Sequence, residues 1–122
     1  MDSTEKREQD RMILALPVEY YRTDSAARRI GYLQRGYTVN ASEKGLMVIS
    51  RDEIPMDSDL MIKLFFCFPD LRSVDTLSHV IWASKREKDR DYLAGLKIER
   101  IVQEGLRKWE QFLDNLFRLK PF

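Results

Sequence analysis

Apolar and polar residues alternate along residues 59–68. One side of this segment carries Leu60, Ile62, Leu64, Phe66 and Phe68. A period of two places every second side chain on the same face of a β-strand, so this pattern predicts a strand with one face toward a core. It is the clearest strand signal in the sequence.

Shorter apolar or aromatic runs predict further strands at residues 12–21, 28–39, 46–50, 74–84 and 92–99. Pro17 cannot donate a ladder hydrogen bond, so the first of these is expected at a sheet edge or with a bulge. Gly31 and Gly36 interrupt the second, which indicates one bent strand or two short ones. Charged turns such as residues 85–91 separate the later strands.

From residue 101 the apolar period changes to that of a helix. The apolar stripe consists of Val102, Leu106, Trp109, Leu113 and Leu116. Steps of three and four residues predict an amphipathic helix at 101–119, which Pro121 would end. Trp109 lies in the stripe, so we expect it in the core rather than at a ligand. Short strands followed by one helix predict a small antiparallel barrel or sandwich with the helix covering one opening.

Composition favours a single domain preceded by a polar arm. The chain has 122 residues, of which 43% are hydrophobic, and this is enough for one compact core. Residues 1–11 contain Met1 as their single apolar residue. We therefore expect a flexible arm at residues 1–11 and one domain at residues 12–122.

Charge balance and cysteine content narrow the cellular setting. The 21 basic and 20 acidic residues give a net charge of +1, which provides no bulk field to attract a nucleic-acid polymer or an anionic membrane. The single cysteine, Cys67, excludes an internal disulfide, and the N-terminus lacks the apolar stretch of a signal peptide. We expect a soluble, cytoplasmic monomer or homodimer with no nucleic-acid or membrane partner.

The inventory of reactive side chains argues against catalysis. His79 is the single histidine, and neither it nor Cys67 lies in a recognisable nucleophile motif. One histidine and one cysteine cannot furnish a typical zinc site, and no Walker-type glycine loop is present in the sequence. The sequence therefore predicts no catalytic residue, no metal site and no cofactor.

The most specific motif is the turn-like hexapeptide Asn40–Gly45 between two predicted strands. Its pattern, Asn-x-Ser-x-x-Gly, is expected by chance on the order of 0.005 times in a chain of this composition. Asn40 and Ser42 can hydrogen-bond to a ligand, while Gly45 would allow a positive φ and close approach of the backbone. A purely structural alternative is a hairpin turn, with an Asx turn at Asn40 and a bulge at Gly45.

An arginine pair, Arg7 and Arg11, precedes the first predicted strand. The spacing alone is weak evidence, because Arg86 and Arg90 repeat it in a charged turn. Arginine binds phosphate bidentately, stacks on purine faces and recognises O6 and N7 of guanine. The pair is therefore a candidate nucleotide-binding element, and the alternative is a pair of solvated charges in a tail.

Together these residues resemble the PilZ family of bacterial receptors for the second messenger cyclic di-GMP. The resemblance extends along the chain to Leu16–Val18, Phe66–Asp70, Val80–Trp82, Ala94–Ile98 and the closing helix. It implies a mostly β fold, namely a six-stranded antiparallel β-barrel of the split-barrel type with a C-terminal α-helix and a flexible N-terminal arm. It also implies cyclic di-GMP, rather than a cofactor, as the ligand, bound across the barrel surface beneath the arm.

The ligand-binding residues that the resemblance implies are Arg7, Arg11, Asn40, Ser42 and Gly45, with Trp82 and Gly95 as further candidates. The strand context of the last two suggests structural roles instead. A tryptophan in a strand is expected in the core, and a glycine in a strand is expected at a kink.

The function implied is a receptor that changes conformation on binding cyclic di-GMP and signals to a downstream protein partner. The alternative is a PilZ-like interaction adaptor that has lost nucleotide binding. It is motivated by Ala41 and Lys44, which differ from the residues usual at those family positions, and by the long segment 22–37. A third hypothesis, binding of single-stranded nucleic acid by basic and aromatic residues between 28 and 37, is disfavoured by the near-neutral charge.

Overall fold

The computed structural model describes residues 12–68, 71–102 and 105–118. The elements are β1 Met12–Ile13, β2 Pro17–Thr23, β3 Gln34–Ala41, β4 Gly45–Ser50, β5 Asp59–Phe68, β6 Leu71–Lys85, β7 Tyr92–Ile101 and α1 Gly105–Arg118. Six antiparallel strands pair in the order β3–β2–β5–β6–β7–β4, and β4 pairs back onto β3 to close a barrel. The two-residue β1 adds to β3, with Met12 opposite Ala41. The predicted six-stranded barrel with a C-terminal helix is confirmed.

The barrel interior is lined by the apolar faces of the strands. The alternation predicted for residues 59–68 is present in β5, whose buried side chains include Leu60, Ile62, Leu64 and Phe66. Val48 from β4 and Leu96 from β7 complete the wall opposite. Since neighbouring side chains along each strand point to opposite faces, the alternating positions form the outer surface.

Residues 12–21, expected to form one edge or bulged strand, are instead divided between β1 and β2. β2 lies between β3 and β5, and a break at residues 14–16 separates it from β1. Pro17 is tolerated because it is the first residue of β2, a position where its missing N–H disturbs the ladder least. A side chain replaces a ladder hydrogen bond in this break, since the Leu16 amide donates to the Thr38 hydroxyl at 2.8 Å.

Residues 24–33 form a loop rather than the first part of a strand. The Asp24 carboxylate accepts hydrogen bonds from the backbone amides of Ala26 and Arg28, each at 2.9 Å. Ala27 has a φ of 60°, which reverses the chain so that Arg29 forms an isolated bridge to Thr23. The aspartate competes with the strand ladder for these amides, so β3 begins at Gln34.

The C-terminal helix begins later than predicted. Ile101 ends β7 opposite Thr76, and the Val102 amide donates to the Asp75 carbonyl at 2.9 Å. These two residues thus extend the sheet although their apolar spacing fits the helical stripe. No helix in the described ranges is long and apolar enough to cross a membrane.

The helix packs on the end of the barrel through an aromatic cluster. Phe66 lies 4.3 Å from Phe112 and 6.3 Å from Trp109, measured between ring centroids. The prediction of Trp109 as a core residue is confirmed, because it is fully buried. Leu106, which the stripe also placed inside, is 52% exposed, so this part of the prediction is wrong.

A buried hydrogen bond inside the barrel generates the first prediction. The Tyr20 hydroxyl donates to the Ser50 hydroxyl at 2.7 Å, and burial raises the pKa of Tyr20 above its ordinary value. Tyr20→Phe should lower the free energy of unfolding by about 1 kcal/mol at neutral pH, measured by denaturant unfolding. The exposed Tyr37 supplies the control, since Tyr37→Phe removes a hydroxyl from a side chain that is 56% exposed.

Burial of Tyr20 also gives the stability a defined pH dependence, because burial raises the pKa of the hydroxyl more than the hydrogen bond with Ser50 lowers it. Because the folded pKa of Tyr20 is raised, its stabilising contribution is complete below the unfolded value of about 10 and is lost as the pH rises through the folded value. The stability difference between wild type and Tyr20→Phe should therefore narrow as the pH rises from about 10 to 11. A constant difference over that range would contradict this assignment.

Candidate functional site

The Asn40–Gly45 motif forms the connection between β3 and β4. Ala41 pairs with Leu46, and the Ser42 amide donates to the Gly45 carbonyl at 2.9 Å, so residues 42–45 reverse the chain. The Lys44 carbonyl accepts from the Ile98 amide at 2.9 Å. The Glu43 carbonyl accepts from Nε1 of Trp109 at 3.4 Å. The turn is therefore held by β7 on one side and by α1 on the other.

The expectation of a positive φ at Gly45 is wrong. No glycine in the described ranges has a positive φ. Gly45 is instead the first residue of β4, is buried, and pairs with Lys97. The register irregularity of this hairpin lies between Thr38 and Asn40, so the structural alternative of a bulge at Gly45 is also wrong. The extended pairing of Gly45 to β7 leaves no need for a left-handed residue there.

Asn40 lies within β3 and belongs to a row of residues that crosses the outside of the barrel. Successive cross-strand pairs join Ile13 to Asn40, Asn40 to Met47, and Met47 to Gly95. Trp82 is paired with Gly95 on the far side. Directly opposed residues in antiparallel strands share a face, so these five residues form one outer row. The barrel thereby brings Asn40, Trp82 and Gly95 together across four strands.

Trp82 is not the core residue that its strand context suggested. It is 39% exposed, because a register shift between Val80 and Trp82 turns the indole to the outside of the barrel. A Cβ added to Gly95 would lie 2.0 Å from Nε1 of Trp82 and 2.4 Å from Cε2. Glycine is therefore needed at position 95 because any side chain there would clash with the indole of Trp82. Gly95 does not act as a simple strand kink.

Met47 is a residue of the row that the sequence did not single out. The Asn40 amide nitrogen donates to the Met47 sulfur at 3.3 Å, which orients the asparagine side chain on the surface. Residues 46–49 are all apolar, so no polar alternation marked which of them faces outward. The cross-strand register, visible only in the fold, supplies that information.

The other predicted site residues are distributed differently. Ser42 is only 6% exposed and lies in the turn, two residues after Asn40. Arg7 and Arg11 lie outside the described residues. Met12, the next residue after Arg11, pairs with Ala41, so the chain joins the barrel beside the turn and the row.

Three arginines of the segment 22–37 have interaction partners. Arg28 contacts Asp24 at 2.9 Å, and Arg35 lies 4.0 Å from Glu19. The Arg29 guanidinium lies 5.3 Å from the centroid of the Tyr21 ring. The two carboxylates reduce the local positive charge that binding of a nucleic-acid backbone would require.

The contact between Trp82 and Gly95 generates a second prediction. Gly95→Ala must displace the indole, so it should lower stability or leave it unchanged in the wild type. In a Trp82→Ala background the same change should stabilise the protein by about 0.4–1 kcal/mol, because alanine restricts the unfolded chain. Denaturant unfolding of the wild type, the two single variants and the double variant measures the coupling energy between Trp82 and residue 95. Equal effects of Gly95→Ala in both backgrounds would contradict the contact.

Comparisons with known proteins agree with this architecture. Among solved structures, the chain is similar to the inhibitor of motility MotI/DgrA from Bacillus subtilis, with a TM-score of 0.71 and 16% sequence identity. The match covers 92% of this chain and 51% of that one, so the chain spans about half of that protein. At this identity the likeness concerns the fold alone. A search of curated proteins found no significant match.

A family model for the PilZ domain matches residues 5–115, which is most of the chain. The matched region contains the described barrel, the Asn40–Gly45 turn and most of α1. The chain therefore belongs to the PilZ domain family, a group of cyclic di-GMP-type receptor and adaptor domains.

Proposed function

We propose that this chain is a cyclic di-GMP receptor that binds the nucleotide on the outer row and closes its N-terminal arm over it. The observation that carries the proposal is the alignment of Asn40, Met47, Gly95 and Trp82 across the barrel. Three of these residues were implied by the family resemblance and are far apart in sequence. The ligand supplies guanine faces, guanine edges and two phosphates, and each needs a different partner.

Trp82 is suited to stack on a guanine face. Its indole lies on the outside of the barrel and rests against Gly95, so its position is fixed while its surface remains accessible. Stacking of a base on an aromatic side chain contributes about 1–3 kcal/mol. A side chain already held in place loses little conformational entropy when the ligand binds.

Asn40 is suited to a guanine edge. Its amide nitrogen donates to Met47, and this contact directs the side chain along the row. An amide oxygen accepts hydrogen bonds from N–H groups such as those of guanine. The family often has aspartate here, and asparagine keeps an acceptor oxygen while removing a negative charge near the phosphates.

The phosphates require cations that the row itself lacks. None of its five residues is charged. An extended segment from Arg7 to Met12 can reach about 17 Å, and the row spans four interstrand intervals, or about 19 Å. An arm that starts where Met12 pairs with Ala41 can thus place Arg11 over the near end of the row and Arg7 over most of its length.

Binding would create the signal by ordering the arm against the barrel. The bound arm and ligand together present a surface that the free protein lacks, and a downstream protein partner would recognise it. The turn beside the row also contacts α1 through Glu43 and Trp109, which gives the helix a direct connection to the site. The proposal includes a reducing, cytoplasmic setting, consistent with the single cysteine.

Isothermal titration with cyclic di-GMP provides the third prediction. Each arginine contact to the nucleotide is worth about 1–3 kcal/mol, so Arg11→Ala should weaken binding roughly five-fold to a hundred-fold. The double variant Arg7→Ala/Arg11→Ala should lose more. The matched control is Arg86→Ala/Arg90→Ala, because this pair has the same spacing but lies in the exposed β6–β7 turn, where Arg86 contacts Asp89 at 3.0 Å.

Two results would refute the receptor proposal. One is the absence of heat when the wild type is titrated at tens of micromolar ligand, and the other is an equal loss of affinity in both double variants. A Trp82→Ala variant adds a test of the row itself, since its affinity should fall by the stacking contribution.

The alternative is a PilZ-like adaptor that does not bind nucleotide. The burial of Ser42, which is 6% exposed, favours it because the hydroxyl presents little surface to a ligand. The adaptor predicts a partner whose recovery in a pull-down is unchanged by Arg7→Ala/Arg11→Ala and by added cyclic di-GMP. Partner recovery that depends on either one would exclude it.

A further inference from the structure

Three strands bring an imidazole and two carboxylates together on the outer surface, away from the row. Asp59 of β5 pairs directly with His79 of β6, and Glu99 lies on β7 beside them. One ligand atom from each residue lies within 4.8 Å of the other two. His79 is three residues from Trp82 along β6, which separates the two sites by about 10 Å.

A carboxylate lies near each ring nitrogen of His79. Nδ1 lies 2.8 Å from Asp59 Oδ1, and Nε2 lies 3.6 Å from Asp57 Oδ1. The hydrogen bond with Asp59 is the main cause of a raised pKa at His79. Ion pairs as exposed as these contribute little to stability.

We propose that Asp59, His79 and Glu99 form a binding site for a divalent transition-metal ion, best matched by Zn²⁺. Nδ1 of His79 and one oxygen from each of the two carboxylates are the ligands. In the structure the Asp59 carboxylate accepts a hydrogen bond from Nδ1 at 2.8 Å, so a metal would replace the Nδ1 proton. Asp57, 3.6 Å from Nε2, would then accept the Nε2–H and favour the tautomer that presents Nδ1 to the metal.

The chemistry of the donor set selects the ion. Zn²⁺ binds imidazole nitrogen and carboxylate oxygen at about 2.0–2.2 Å, so tetrahedral ligand atoms lie about 3.3 Å apart. The three ligand atoms are already within 4.8 Å, and Glu99 is exposed and free of core packing, so its side chain can rotate inward. Mg²⁺ and Ca²⁺ prefer sites built from oxygen alone.

The local charge is also appropriate for a cation. Two carboxylate ligands neutralise a divalent ion, and Asp57 adds a third negative group next to the imidazole. Lys97 is the cross-strand partner of His79, and its positive charge repels a cation. Because the Lys97 side chain is exposed, solvent screens this repulsion. The sequence predicted no metal site because the residue count considered histidine and cysteine, whereas the fold adds carboxylates from neighbouring strands.

A metal at this site would tie β5, β6 and β7 together. An ion that binds the folded barrel and not the unfolded chain stabilises the fold in proportion to its saturation. The inference is independent of the nucleotide proposal, because the two sites share no residue.

The lone histidine makes the fourth prediction directly testable. In the ¹⁵N spectrum of the full chain, His79 supplies the only imidazole signals. Titration with Zn²⁺ at neutral pH should shift Nδ1 and saturate near one equivalent, with Nε2 remaining protonated. Unchanged imidazole signals at millimolar Zn²⁺, or coordination through Nε2, would overturn the proposal.

Variants identify the carboxylates. His79→Ala should abolish binding, Glu99→Gln should weaken it, and Asp57→Asn should weaken it about 10- to 100-fold. Zn²⁺ should raise the thermal unfolding midpoint of the wild type but not that of His79→Ala.

Two controls complete this experiment. Glu87→Gln removes a carboxylate from the β6–β7 turn, and Cys67→Ser removes the one thiol able to bind Zn²⁺. Both should bind as the wild type does. Loss of binding in Cys67→Ser, or undiminished binding in Glu99→Gln, would refute the assigned site.

Discussion

The structure depends on the double pairing of β4, the strand that closes the barrel. This six-residue strand pairs with β3 along one edge and with β7 along the other, so the barrel has no open edge at that point. Its inward residues Leu46 and Val48 are fully buried. Without these pairings β3 and β7 would present unpaired amides and carbonyls, and the core would open.

Closure at β4 also creates the candidate ligand surface. Met47, the outward residue between Leu46 and Val48, pairs with Asn40 on one side and Gly95 on the other. The row is thus a consequence of the strand register that seals the core. The turn before β4 is held by hydrogen bonds from Ile98 and Trp109 to the carbonyls of Lys44 and Glu43, respectively. Binding surface, core and helix consequently share the same short strand.

Local sequence patterns predicted correctly the elements that turn one face toward the core and the other toward solvent. The alternation of β5 and the burial of Trp109 followed from periodicity because each has one face toward the core. Prediction failed where a residue has two compatible environments. Trp82 has strand-like neighbours but is turned outward by a register shift, and Ile101 fits the helical stripe but pairs with Thr76. The composition of the sequence does not encode register, which results from pairing between distant strands.

The sequence by itself determined the inventory of this protein: a polar arm with two arginines, a specific turn motif, and apolar patterns that are sufficient for a barrel and a helix. Those features depend on residues close together in the chain, so they are readable along it. The tertiary structure decided which distant residues share a surface. It placed Asn40 near Gly95 and Trp82, and Asp59 near His79 and Glu99. Such neighbours arise from the closure and register of six strands, whose energies depend on the whole core and not on any local segment.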